Sequence, residues 1–133
     1  MWEDDDGMLQ VELSASNGTM TTTQDFYVYP ESLVKFGGEL EGYFPRSGGG
    51  EITFEYGAED EKVHSHVKLT SFYMSPGTIG VYVRTHNNRQ GREVAVCEFC
   101  ITTTLQAVND LGKKIISWVN SSEKTMRFEL GLA

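Results

Sequence analysis

The chain has 133 residues, of which 39% are hydrophobic, 11% aromatic and 23% charged. That is length for one domain with one core, and too apolar a composition for wholesale disorder. A formal net charge of −8 repels phosphate backbones and attracts basic proteins, so nucleic acid is an unfavourable partner.

The apolar runs are a few residues long, against roughly 20 for a membrane-spanning helix. The N-terminus, Met1-Trp2-Glu3-Asp4-Asp5-Asp6-Gly7, is acidic where a secretion signal is basic and then apolar. The expectation is a cytoplasmic protein that engages no membrane. Residues 1–133 form a single α+β domain, with 1–7 as a flexible acidic N-terminus.

From Met8 to Ala15 apolar and polar residues alternate, with Leu9, Val11, Leu13 and Ala15 on one face. This is the pattern of a half-buried strand. Asn17-Gly18 is a strong two-residue hairpin signal. A turn centred there places Leu13 opposite Thr22 and Leu9 opposite Phe26, and buries Phe26 and Val28. Pro30 then suits the first turn of a helix. Leu33, Phe36, Leu40, Tyr43 and Phe44 follow at spacings of three and four, giving one apolar stripe. Gly37-Gly38 inside that stripe costs about 1 kcal/mol per residue against alanine. Close approach of the helix to the sheet would explain the pair, and so would a kink. Arg46-Ser47-Gly48-Gly49-Gly50 ends the element.

Four strand-like segments come next: Glu51–Tyr56, Val63–Met74, Thr78–His86 and Arg92–Thr103. Ser75-Pro76-Gly77 suits a hairpin loop with glycine in the left-handed position. It pairs His66 with His86, Lys68 with Arg84 and Thr70 with Tyr82. A five-residue loop at Asn87–Gly91 pairs Val83 with Ala95, Val81 with Cys97 and Ile79 with Phe99. Both turns put the odd-numbered residues on one apolar face: Val67, Leu69, Ile79, Val81, Val83, Ala95, Cys97, Phe99 and Ile101. A second helix starts at Thr103, with Gln106 completing a capping box. Its stripe is Leu105, Val108, Leu111, Ile115 and Trp118. Met126, Phe128 and Leu130 alternate as a last strand. The fold class is α+β: an antiparallel sheet packed by two amphipathic helices, in the order β-β-α-β-β-β-β-α-β.

No complete catalytic or cofactor motif stands out. Cys97 and Cys100 form a C-x-x-C within a strand, where they span about 10 Å and face opposite sides; a disulfide requires Cα atoms within about 7 Å. Gly48-Gly49-Gly50 lacks the lysine and helix of a phosphate loop. The acidic turn Glu59-Asp60-Glu61 has no apolar pocket to tune a carboxyl for acid–base work, but it can dock a basic partner. The even-numbered face carries Lys68, Phe72, Tyr82, Arg84 and Glu98. Tyrosine and arginine are enriched at protein interfaces, so this face is the leading candidate for partner binding. His64, His66 and His86 share it and offer an alternative, a small-molecule or metal-binding domain: three histidines with an open fourth position can hold zinc. A further alternative is a domain that self-associates weakly through its sheet face or edge.

Several segments together resemble small bacterial immunity-type proteins of polymorphic and contact-dependent toxin systems. They are Asp25-Phe26-Tyr27 ahead of Leu33-x-x-Phe36-x-x-x-Leu40, Phe54-Glu55-Tyr56-Gly57, and Leu69-x-x-Phe72. Gly80-Val81-Tyr82-Val83, Glu98-Phe99-Cys100-Ile101 and the Leu111-Gly112 helix complete the pattern. These are core and turn positions, so the resemblance transfers no site residue. It implies an acidic, non-catalytic, cytoplasmic binder without cofactor, which occludes a cognate protein toxin.

Overall fold

A computed structural model describes residues 2–3, 7, 9–45, 50–57, 66–89 and 91–121. Over that range the strands and helices follow the expected order and the fold is α+β. Two antiparallel sheets are present instead of one. The smaller holds β2 (Leu9–Ser16) and β3 (Thr21–Val28), with a two-residue β1 (Trp2–Glu3) paired to Gln10 and Leu9. The alternation in the sequence gave no sign of β1. The larger sheet holds β4 (Ile52–Tyr56), β5 (His66–Ser75), β6 (Thr78–His86) and β7 (Val96–Thr104), in that order. Helix α1 (Pro30–Glu41) lies between the two sheets in sequence, and α2 (Leu105–Val119) follows β7. The final strand expected at Met126, Phe128 and Leu130 lies outside the described residues.

The β2–β3 turn spans four residues, not two, because Asn17 Oδ1 accepts from the backbone N–H groups of Thr19 (2.9 Å) and Met20 (2.8 Å). Leu9 therefore pairs with Val28 and Leu13 with Gln24, two places from the expected register. The β5–β6 hairpin has the expected pairs His66 with His86, Lys68 with Arg84 and Thr70 with Tyr82. An irregularity between Tyr73 and Ser75 tightens its end, and Gly77 has φ +76°, a region glycine enters without a Cβ clash.

The β6–β7 register differs by four: Val83 faces Phe99, Val81 faces Ile101 and Ile79 faces Thr103. Asn87 is the cause. Its Nδ2 donates to Glu93 O at 2.8 Å, and its Oδ1 accepts from Ala95 N at 3.0 Å. Those bonds hold a loop that includes a 3₁₀ turn at Gly91–Glu93. Ala95 is consequently an exposed loop residue instead of a face residue. Thr103, expected to start the helix, is instead fully buried in β7. Thr104 caps α2, accepting from Ala107 N at 3.1 Å, which satisfies one of the helix's orphan donors.

The odd-numbered face of β4–β7 is the inner one, with Val67, Ile79, Val81, Val83, Phe99 and Ile101 all buried. Strand β3 packs against β4, β5 and β6, α1 against β4, and α2 against β6 and β7. Phe26, Phe36, Phe54 and Tyr56 form an aromatic cluster with ring centroids 5.3–5.7 Å apart. The two sheets are joined by a buried hydrogen bond between the hydroxyls of Thr22 and Thr85. Leu33, Phe36, Leu40 and Tyr43 occupy the core as the stripe predicts, but Phe44 is 72% exposed, because the helix ends at Glu41 and the stripe does not reach it.

Gly37 marks a close approach of α1 to α2, not to the sheet. A Cβ on Gly37 would lie 2.9 Å from Gly112 O, and a Cβ on Gly112 would lie 2.3 Å from Gly37 O and 2.5 Å from Glu41 N. Beside this crossing, Asn109 Nδ2 donates to Leu40 O (2.8 Å) and Tyr43 O (3.1 Å). A side chain of α2 thus satisfies carbonyls where α1 ends.

Candidate functional site

With helices and hairpin on the inner side, the even-numbered face of β5–β7 and the odd-numbered face of β4 point away from the core. Pairing places these residues in rows across the strands. One row reads Glu55, Lys68, Arg84, Glu98; the next reads Thr53, Thr70, Tyr82, Cys100. His66, His86 and Val96 form a row on one side, and Phe72, Gly80 and Thr102 a row on the other. Lys68, Phe72, Tyr82, Arg84 and Glu98 are thus brought together on one surface.

The charged row is bound by one direct cross-strand pair and two diagonals through His66. Arg84 Nε donates to Glu98 Oε2 at 3.2 Å, and Arg84 Nη1 lies 3.3 Å from His66 Nδ1. A guanidinium can only donate, so Nδ1 is the acceptor and the ring proton sits on Nε2. That Nε2 donates to Glu55 Oε2 at 2.8 Å. Both nitrogens of His66 are therefore engaged, and its side chain is buried, not solvated as scattered surface histidines are. His86 Nδ1 accepts from Asn88 N at 2.8 Å, which leaves one nitrogen. His64 lies outside the described residues, and among those described no three His, Cys, Asp or Glu side chains gather as a metal-ligand set.

Next to the charges, Phe72 lies over Gly80. A Cβ on Gly80 would stand 2.3 Å from the ring's Cζ; the missing side chain lets the ring settle on the sheet, a known way of compensating a strand glycine. Lys68, Thr70, Phe72, Tyr73, Tyr82 and Cys100, with Glu51 at the rim, line an open depression. Burial is the main reason that the Tyr82 phenol titrates above its ordinary value. Its hydrogen bond to Glu98 and that carboxylate's charge add to the effect, and Arg84 opposes it. The phenol is thus held in its neutral form.

The acidic turn Glu59-Asp60-Glu61 lies outside the described residues. Glu55 faces outward on β4, whereas α1 packs on the inner side. Cys97 and Cys100 are free thiols three residues apart on β7. The Glu55–His66 pair is the element that sequence reasoning missed. Register places Lys68 opposite Glu55, and only the diagonal across the twisted sheet brings His66 within reach.

No helix among the described residues is long and apolar enough to cross a membrane. Comparison with protein-family models, with curated proteins and with solved structures finds no match to this chain.

Proposed function

We propose that this protein is a non-catalytic protein-binding module: a cytoplasmic immunity protein that neutralises a cognate bacterial toxin by tight binding through the outer face of β4–β7. The observation that carries the reading is the open sheet face on which Phe72, Tyr82 and Arg84 stand together beside Lys68 and Glu98. Aromatic and arginine side chains supply most of the energy at protein interfaces when a partner desolvates them. Arg84 is already held by Glu98 and His66, so docking costs it little further side-chain freedom. The −8 charge steers a basic toxin toward the molecule and raises the association rate. The resemblance to immunity-type proteins adds the toxin to the binding reading.

The test is co-expression in bacteria with the C-terminal domain encoded by the gene immediately upstream. The expected result is that the domain alone arrests growth, that the wild-type chain restores it, and that Tyr82→Ala combined with Arg84→Glu does not, although the variant remains folded. A non-toxic upstream product, or rescue by the double variant equal to wild type, overturns the proposal.

A further inference from the structure

Four charges stand directly opposite one another across the larger sheet in the order minus, plus, plus, minus: Glu55, Lys68, Arg84, Glu98. Like charges directly opposite on neighbouring strands destabilise a sheet, so a row shaped by stability alone would alternate. Three of the four find company within the molecule. Glu98 takes Arg84, and Glu55 turns away from Lys68 to take the ring of His66. Lys68 is left half-buried beside another cation, with no hydrogen bond or ion pair among the described residues. A local rule broken without compensation among the described residues is where function is expected.

The surroundings say what would complete it. The Thr70 hydroxyl is engaged with that of Thr53, 3.2 Å away. The depression beside Lys68 is lined by Phe72 and Tyr82 and offers a single ammonium. A phosphate carries up to two charges and favours several donors or an arginine fork, and Glu51 at the rim repels the excess. A carboxylate carries one charge. Placed at Lys68 it also relieves the repulsion between Lys68 and Arg84.

We propose that Lys68 is the recognition point for a carboxylate side chain of the partner protein, an aspartate or glutamate flanked by an aromatic residue that lies on Tyr82 and Phe72. This deepens the protein-binding reading above and rests on it. The field of the whole chain draws in a basic partner, while one acidic side chain on that partner fixes its register on the sheet.

The test needs no identified partner. The full chain is titrated with acetyl-Trp-Glu-amide and, separately, with acetyl-Trp-Gln-amide, while backbone amide NMR signals are followed. The glutamate peptide should move Lys68, Thr70 and Tyr82 and bind about three- to fivefold more tightly than the glutamine peptide, as one partly exposed ion pair allows. That preference should vanish in Lys68→Met and in Lys68→Gln, persist in Lys68→Arg, and weaken with salt. Equal affinity for the two peptides removes the assignment and leaves the protein-binding reading standing. So do shifts confined to another surface, or displacement of the glutamate peptide by an equal concentration of inorganic phosphate. Failure of toxin rescue with the glutamate preference intact removes the immunity reading and leaves Lys68 in its role.

Discussion

Gly112 and Gly80 would each place an added Cβ 2.3 Å from a neighbouring atom, but the neighbours differ in kind. At the helix crossing the obstacle is the backbone of α1: the carbonyl of Gly37 and the amide of Glu41. On the outer sheet face it is the ring of Phe72, which stands on the side away from the core. Backbone in a packed crossing moves only if the helix moves, and α1 is tied at its C-terminal end by Asn109. A ring on an open face can rotate. The same overlap therefore separates a region that fixes the fold from one that tolerates change, and a tolerant face can be shaped for a partner.

Four substitutions test that contrast, in descending order of effect. Gly112→Ala should cost about 3 kcal/mol or more, because overpacking against backbone cannot relax locally; urea denaturation measures it. Asn109→Ala should cost about 2 kcal/mol, since it removes two hydrogen bonds and takes the donor from Tyr43 O, while Leu40 O keeps the Tyr43 amide. Replacing Tyr43 by phenylalanine removes a hydroxyl that donates to Gly50 O at 2.8 Å and lies 3.3 Å from Ser71 O, and should cost about 1 kcal/mol near neutral pH.

Tyr43 also has a pH signature. Burial first, and the charge of Glu51 second, raise its phenol above 10.0 in the folded state. The fold thus favours the protonated form. Its contribution is complete below the unfolded value and is lost as pH rises through the folded one. Wild-type stability should fall more steeply than that of Tyr43→Phe above about pH 10, with denaturation midpoints across that range as the measurement. Gly80→Ala should have the smallest effect, within about 1 kcal/mol, because alanine's lower chain entropy offsets part of the ring displacement. A Gly80→Ala cost equal to that of Gly112→Ala would break the comparison.

Residue alternation was the most legible part of the fold. The β2–β3 register shifts by two and the β6–β7 register by four. Both shifts are even, and side chains alternate with period two, so each residue keeps its face. Apart from Ala95, which the longer loop takes out of the sheet, the inner residues from Val67 to Ile101 therefore followed from alternation despite the wrong β6–β7 pairing. The turns were not legible, since loop length depends on side-chain acceptors such as Asn17 Oδ1 and Asn87 Oδ1 that compete with the shortest hairpin. Gly37 was visible as an anomaly, but its partner Gly112 lies 75 residues away, and nothing local connects them. In the candidate site the same limit applies. The outward residues followed from parity, whereas the Glu55–His66–Arg84 diagonal depends on sheet twist.

The bond from Asn109 to the end of α1 joins residues separated by more than sixty positions, with all of β4–β7 between them. During synthesis α1 emerges early, yet the helix that covers it and closes its last turn is made only after the whole larger sheet. The N-terminal half thus waits with its Leu33–Phe36–Leu40 stripe uncovered. Long-range pairing of this kind slows folding and lengthens the exposure of apolar surface. Truncation before Leu105 should consequently leave an aggregating chain, not a smaller folded one.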